Sequence, residues 1–180
     1  MNIKLYIALA VVFFLFFGCA GAIVIGRIRD FIQYILYTDK ITNLPNRQMC
    51  DIRINELSEK ELGEQFTCMM IRLDNLIKIN ETMGHSAGDT VLRDFGEMLK
   101  SISRNYGFIG WNQGGWFVGL FEHCSEDKAN LYLEMLQKRV DEYNNEQLDL
   151  QIKYTAQYLN STKENLYDVR ELIHNTRGSF

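Results

Sequence analysis

The run LYIALAVVFFLFFGCAGAIVI, Leu5 to Ile25, holds no charged or strongly polar side chain. At about 1.5 Å of rise per residue, a helix of this length matches a bilayer hydrocarbon core of ~30 Å. The run therefore predicts a membrane span and divides the chain into a bilayer segment and an aqueous remainder. A cleaved signal peptide has a shorter apolar core, roughly 7–15 residues, and a lipid-modified Cys19 fits poorly because the run continues past it. Only Lys4 and the amino terminus precede the run, whereas Arg27, Arg29 and Lys40 follow it closely. Basic flanks are retained in the cytoplasm. The expectation is a single-pass protein of the bacterial inner (plasma) membrane, N-terminus out and C-terminal domain cytoplasmic. Cys19, Cys50, Cys68 and Cys124 would then lie in a reducing compartment. None forms a C-x-x-C pair, so neither a disulfide frame nor a zinc site is indicated. A net charge of −4 gives no basic footprint for nucleic acid.

Beyond the span the chain reads as residues 1–26 for the transmembrane helix, 27–38 for a helical stalk and 39–180 for one domain. In the stalk, Ile28, Phe31, Ile32, Ile35 and Leu36 recur at helical spacing. That seam suits a parallel dimer contact or packing on the chain's own domain. Pro45, the one proline, should end the stalk helix, and Asn46 can cap a new helix running to about Glu61. FTCMMIRL (66–73) predicts a strand, and NLIKINETMG a short helix closed by Gly84. Ser86 to Ser103 predicts a longer helix that buries Leu92, Phe95 and Leu99. Residues 106–112 and 116–121 flank Gly114-Gly115, a two-residue hairpin loop of I′ geometry. Ser125 or Asp127 caps a helix to about Asn144, QLDLQIKYTAQYL alternates as a strand, and a last helix runs from Lys163 to Arg177. Local hairpins and mixed element order give an α+β fold, a mainly antiparallel sheet flanked by helices.

Two segments now carry a resemblance. Asp39-Lys40-Ile41-Thr42-Asn43-Leu44-Pro45-Asn46-Arg47 resembles the D-x-L-T-x-L-x-N-R entry of the GGDEF domain of the diguanylate cyclases, and NETMGHSAGD (80–89) is similar to its N-D-x-x-G-H-x-x-G-D segment. The resemblance covers about residues 38–180 and implies the cyclase palm-like fold. It also implies a dimer making cyclic di-GMP from two GTP molecules, with Mg²⁺ held by an acid at the strand end and an acid in the hairpin. Metal cations neutralise a triphosphate and activate the attacking hydroxyl, so those carboxylates must converge. Here the strand end reads Arg72-Leu73-Asp74, and Gln113-Gly114-Gly115-Trp116-Phe117 stands in place of the signature. The metal-binding acids are missing, Ile77 replaces a phosphate-contacting lysine, and Asn105–Phe108 (NYGF) replaces the R-x-x-D product site. No catalytic residue, no metal ligand and no resident cofactor is therefore expected.

What remains of the family's site is Asn80 and Asp89, which match its guanine-reading positions, with Arg72 as a fixed cation able to meet phosphate without metal. Each also has a structural reading. Ser86-x-x-Asp89 fits a helix capping box, Asn80 can serve a local turn, and Arg72 can pair with Asp74 two residues along the strand. A two-residue loop would place Trp111, Gln113, Trp116 and Val118 on one face, with the indoles diagonal neighbours. The functional expectation is a membrane-anchored signalling or scaffold module without cyclase activity. It would act through protein contacts as a homodimer, or as a heterodimer with a related signalling protein. The alternatives are a GTP sensor and a residual diguanylate cyclase.

Overall fold

The computed structural model describes residues 3–63 and 65–179, apart from the side chains of residues 4, 5 and 7–12. The chain divides between Leu36 and Tyr37 into two compact units. The first is helix α1, Ile3–Tyr37, on which Phe13 to Phe17 are exposed, as are Ile28, Phe31, Ile32 and Ile35. Among the described residues no helix is long and apolar enough to cross a membrane. The expected span, Leu5–Ile25, falls in part on residues whose side chains lie outside that description.

The second unit is an α+β domain. Its four strands are β1 (Thr67–Leu73), β2 (Phe108–Trp111), β3 (Trp116–Phe121) and β4 (Tyr154–Asn160). They lie in the order β2-β3-β1-β4, with every neighbouring pair antiparallel. The central strand β1 is buried on both faces, which explains its near-continuous apolar run. Its odd residues Met69, Ile71 and Leu73 join Phe117 and Phe121 under helices α3 (Leu76–Met83), α4 (His85–Ser103) and α5 (Glu126–Glu146). Its even residues Cys68 and Met70 join Val118 and Leu120 under α2 (Arg47–Ser58) and α7 (Val169–Gly178). Each fully buried Leu, Ile or Phe contributes roughly 1.5–3 kcal/mol of transfer free energy. On the first face Leu92, Phe95 and Leu99 are buried as the helical spacing predicted.

Several local features differ from expectation, each for an identifiable reason. Helix α1 stops at Tyr37, well before Pro45. Asp39 folds the next residues into a turn, its Oδ1 accepting from the Ile41 and Thr42 amides and the Thr42 hydroxyl. Asn46 does cap α2, accepting from the Met49 amide, but that helix ends at Ser58. The fourth strand begins only at Tyr154, because the Asn144 side chain holds both backbone groups of Ile152. The last helix is broken in two: α6 (Ser161–Glu164) ends at Asn165 in the left-handed region, φ 53°, and α7 restarts under the Asp168 cap.

The hairpin register is the largest correction. Trp111 pairs with Phe117 and Gly110 with Val118. The loop thus has three residues, Gln113-Gly114-Gly115, of which Gln113 (φ 84°) and Gly114 (φ 57°) are left-handed. Trp111 consequently faces the α3–α5 core and Trp116 the α2–α7 core. The indoles lie on opposite faces of the sheet, not side by side. Trp111 turns its Nε1–H onto the Gly114 carbonyl at 2.7 Å, tying down the tip.

Candidate functional site

The site forms where β1 ends beside the hairpin tip. The Leu73 amide donates to the Gly115 carbonyl at 2.8 Å and the Asp74 amide to the Lys153 carbonyl at 2.8 Å. Asn75 then bridges the Gln151 carbonyl and the Lys153 amide, which fixes the start of α3. The hairpin sits so close that a Cβ on Gly115 would lie 3.0 Å from the Leu73 carbonyl oxygen. Between this strand end, α3 and the tip opens a cleft of about 610 Å³, with Arg72, Asp74, Ile77, Asn80 and Trp116 in its walls. That size lies within the usual range for small-molecule sites, roughly 300–1,000 Å³.

Arg72 and Asn80 are thus brought into one cleft, and Asp89 is not among its lining residues. Arg72 Nε donates to Asp74 Oδ1 at 2.8 Å, as the i, i+2 spacing predicted, while Thr155 Oγ1 donates to Asp74 Oδ2 at 2.7 Å. The Arg72 guanidinium lies 5.4 Å from the centre of the Trp116 ring, its cross-strand partner. Asn80 ends against Gly88 of α4, where an added Cβ would stand 1.9 Å from its Oδ1. That oxygen is buried and, among the described residues, has no hydrogen-bond partner. A buried carbonyl oxygen left unsatisfied is costly, by about 1–3 kcal/mol.

The capping box expected at Ser86-x-x-Asp89 does not form. Helix α4 starts at His85 with Gly84 (φ 88°) as its N-cap and no side-chain cap bond, so Ser86 lies inside the helix and no capping box forms. Asp89 is half-buried one residue beyond Gly88. The Asn80 side chain closes no turn either: the Gly84 amide bonds the Asn80 backbone carbonyl.

Three further residues were not singled out from the sequence. Gly88 holds the Asn80 amide in place, and the glycine inside the GHSAGD helix start was its only signal. Arg47 and Arg177 line a smaller cavity of about 220 Å³ behind Trp116, where Arg177 lies 5.7 Å from the ring centre and Arg47 donates to Gln113 Oε1. The cysteines of the domain are buried free thiols. Burial pushes the Cys50 and Cys68 thiols up to about 12, helped for Cys50 by the Asp51 charge. Burial raises Cys124 as well.

With that geometry in place, the sequence matches the family described as "Diguanylate cyclase, GGDEF domain" over residues 36–177. The chain belongs to the GGDEF family. Among curated relatives, this GGDEF chain is 28% identical over 121 residues to a diguanylate cyclase of Vibrio cholerae, covering 66% of this chain and 38% of that one. An uncharacterized membrane protein of Staphylococcus aureus is 26% identical over 148 residues, covering 76% of this chain and 42% of the relative. The chain thus spans less than half the length of these relatives. The fold matches the coiled coil and GGDEF domain of DgcB from Caulobacter crescentus, crystallised with c-di-GMP. The TM-score is 0.73 at 18% identity, with 91% of this chain and 88% of that one covered.

The family implies Mg²⁺, and the residues present do not fit it. Divalent magnesium needs carboxylate or phosphate oxygens in near-octahedral array. Here a guanidinium occupies the strand-end position, and Gly115 and Trp116 occupy the hairpin positions. The remaining carboxylate, Asp74, has both oxygens engaged by Arg72 and Thr155. Among the described residues no group of three or more His, Cys, Asp and Glu is placed to hold a metal.

Proposed function

We propose that this protein is a membrane-anchored signalling module of the GGDEF family that has given up cyclisation but still receives a guanine nucleotide in the cleft beside Asn80. The carrying observation is Asn80, which lines the cleft while its Oδ1 is buried against Gly88 with no hydrogen-bond partner among the described residues. Guanine offers N1–H and N2–H donors to a carbonyl oxygen, and an amide nitrogen can answer its O6. The cleft is also open: Trp116 forms part of its wall and packs into the opposite core. The sensor reading therefore gains over a scaffold that only makes protein contacts.

Anchoring rests on the apolar run Leu5–Ile25 and its basic flank, and is consistent with a staphylococcal relative named as a membrane protein. The exposed seam Ile28, Phe31, Ile32 and Ile35 supports output through a paired helix, in a homodimer or with a related partner. Cyclisation would need cations that this donor set does not suit, so no mechanism is derived through them.

Calorimetric titration of the full chain in detergent micelles with guanine and adenine nucleosides tests the reading. Saturable binding of guanosine but not adenosine, lost in Asn80→Ala, is the expected result. Silence toward guanosine removes the sensor reading, and cyclic di-GMP formation from GTP removes the non-cyclising one.

A further inference from the structure

Resting on that reading of the cleft, we infer that its ligand is a guanine nucleoside bearing a single phosphate, bound without metal, with the Arg72 guanidinium as the phosphate-holding group. The charges set the phosphate count. Among the described lining residues only Arg72 and Asp74 are charged, and they are paired with each other. The cleft therefore offers one guanidinium already partly balanced, and Ile77, Leu73 and Leu76 make much of the remaining wall apolar. A phosphate monoester carries about −1.5 to −2 charges at pH 7, close to what one guanidinium can meet. A triphosphate adds charge that no described lining residue offsets. Ordinarily a divalent cation would do so, but the fixed guanidinium repels one and Asp74 is engaged.

Arg72 is also held in place. Its Nε–H goes to Asp74 at 2.8 Å and its Cζ lies 5.4 Å from the Trp116 ring centre. A guanidinium has five N–H donors in a fixed fork that matches phosphate geometry. Restraint by Asp74 and the indole reduces the rotamer freedom that a bound phosphate would otherwise have to freeze. The phosphate would join this cation at a partly solvated site, so a gain of about tenfold in affinity is expected from a charge-assisted contact.

The test is calorimetry on the full chain in micelles with guanosine, GMP and GTP, each with Mg²⁺ and with EDTA. The expected order is GMP about tenfold tighter than guanosine, GTP no tighter than GMP, and no Mg²⁺ dependence beyond about twofold for any of them. In Arg72→Gln the preference for GMP over guanosine should disappear, and the guanosine binding that remains shows that the variant is folded. Arg72→Lys should retain part of the increment, as a point charge without the fork. Equal binding of guanosine and GMP, or an Arg72→Gln protein that still prefers GMP, overturns the inference and leaves the base-reading proposal standing. Mg²⁺-dependent GTP binding tighter than GMP overturns it as well. Failure of guanosine to bind sinks both, and is thereby distinguished from failure of the phosphate contact alone.

Discussion

Gly88→Ala isolates the contact on which the base-reading proposal depends. The helix backbone at Gly88 is ordinary, since it is absent from the left-handed glycines, so alanine is conformationally acceptable and gains about 1 kcal/mol of helix propensity. Against this, the new Cβ would stand 1.9 Å from Asn80 Oδ1 and 2.9 Å from its Cγ. Ordinary van der Waals contact begins at 3.4 Å, so the oxygen must retreat by about 1.5 Å (3.4 − 1.9). The atom met belongs to a side chain that can rotate, and overpacking of that kind costs about 1–3 kcal/mol. The net effect is a destabilisation of about 0–2 kcal/mol, or a drop in Tm of up to ~8 °C for a domain this size. Guanosine affinity should fall at least about tenfold, because a displacement of that size breaks a hydrogen bond. Gly96→Ala provides the control. There the Cβ meets the Thr42 backbone carbonyl oxygen at 2.6 Å, which cannot rotate away, so stability should fall further while guanosine affinity stays within about twofold in protein that remains folded. A Gly88→Ala protein that binds guanosine as the wild type does would refute the role given to Asn80. One stabilised by about 1 kcal/mol would show that the contact never constrained the amide.

Phe95→Ala should cost about 3–5 kcal/mol in urea unfolding. Phe95 is fully buried, with ring centres of Phe117 and Tyr154 at 5.4 and 5.6 Å; a loss below about 1 kcal/mol would contradict the packing described. Asp39→Ala removes the acceptor for two amides and a hydroxyl at the domain entrance and should cost about 1–2 kcal/mol, with Asp39→Asn recovering part. Stability should decline in alkali. Cys50 and Cys68 are held up to about 12 in the fold, whereas thiols of the unfolded chain ionise near 8.5. Below that pH the two states bind the same protons; above it the unfolded state releases them first, so each thiol removes about 1.4 kcal/mol per pH unit until the folded value is reached. Tyr143 and Tyr154, also raised to about 12, steepen the decline above pH 10. Urea midpoints between pH 8 and 11 measure it, and Cys68→Ala should flatten the slope between pH 9 and 10.

Much of the fold was legible because local signals agreed with the global pattern. Asn46 and Ser125 read as caps and are caps, and the Leu92, Phe95, Leu99 stripe lies in the core. The Arg72–Asp74 pair followed from strand geometry alone. The hairpin misled because Gly-Gly is the ordinary signal for a two-residue loop, while Gln113, a residue with no special preference for it, takes the left-handed conformation at φ 84°. That one-residue difference sends alternate side chains to opposite faces, so it separated the two tryptophans. The extent of β4 misled for another reason: its alternation begins well before Tyr154, but the Asn144 side chain captures Ile152 from the end of α5. Neither Gly88 nor the orphaned oxygen of Asn80 could be read from residue types, because both depend on how closely α3 and α4 approach.

Arg72, Asp74 and Trp116 form one mutually consistent set of contacts. A carboxylate at position 72 would share a strand face with Asp74 and would need a cation to tolerate it. Arginine there converts the repulsion into an ion pair at 2.8 Å and faces Trp116 across the ladder, not another acid. The ion pair is half-exposed and contributes about 0.2–1 kcal/mol, and the guanidinium–indole contact about 0.5–2. Arg177 lies against the same indole from α7. The three side chains support one another, because the arginine contacts both the acid and the ring. An acid at position 72 would therefore break two contacts. Arg72 gives the cleft a cation that cannot dissociate. Its positive charge is covalent and is held between an acid and an indole ring.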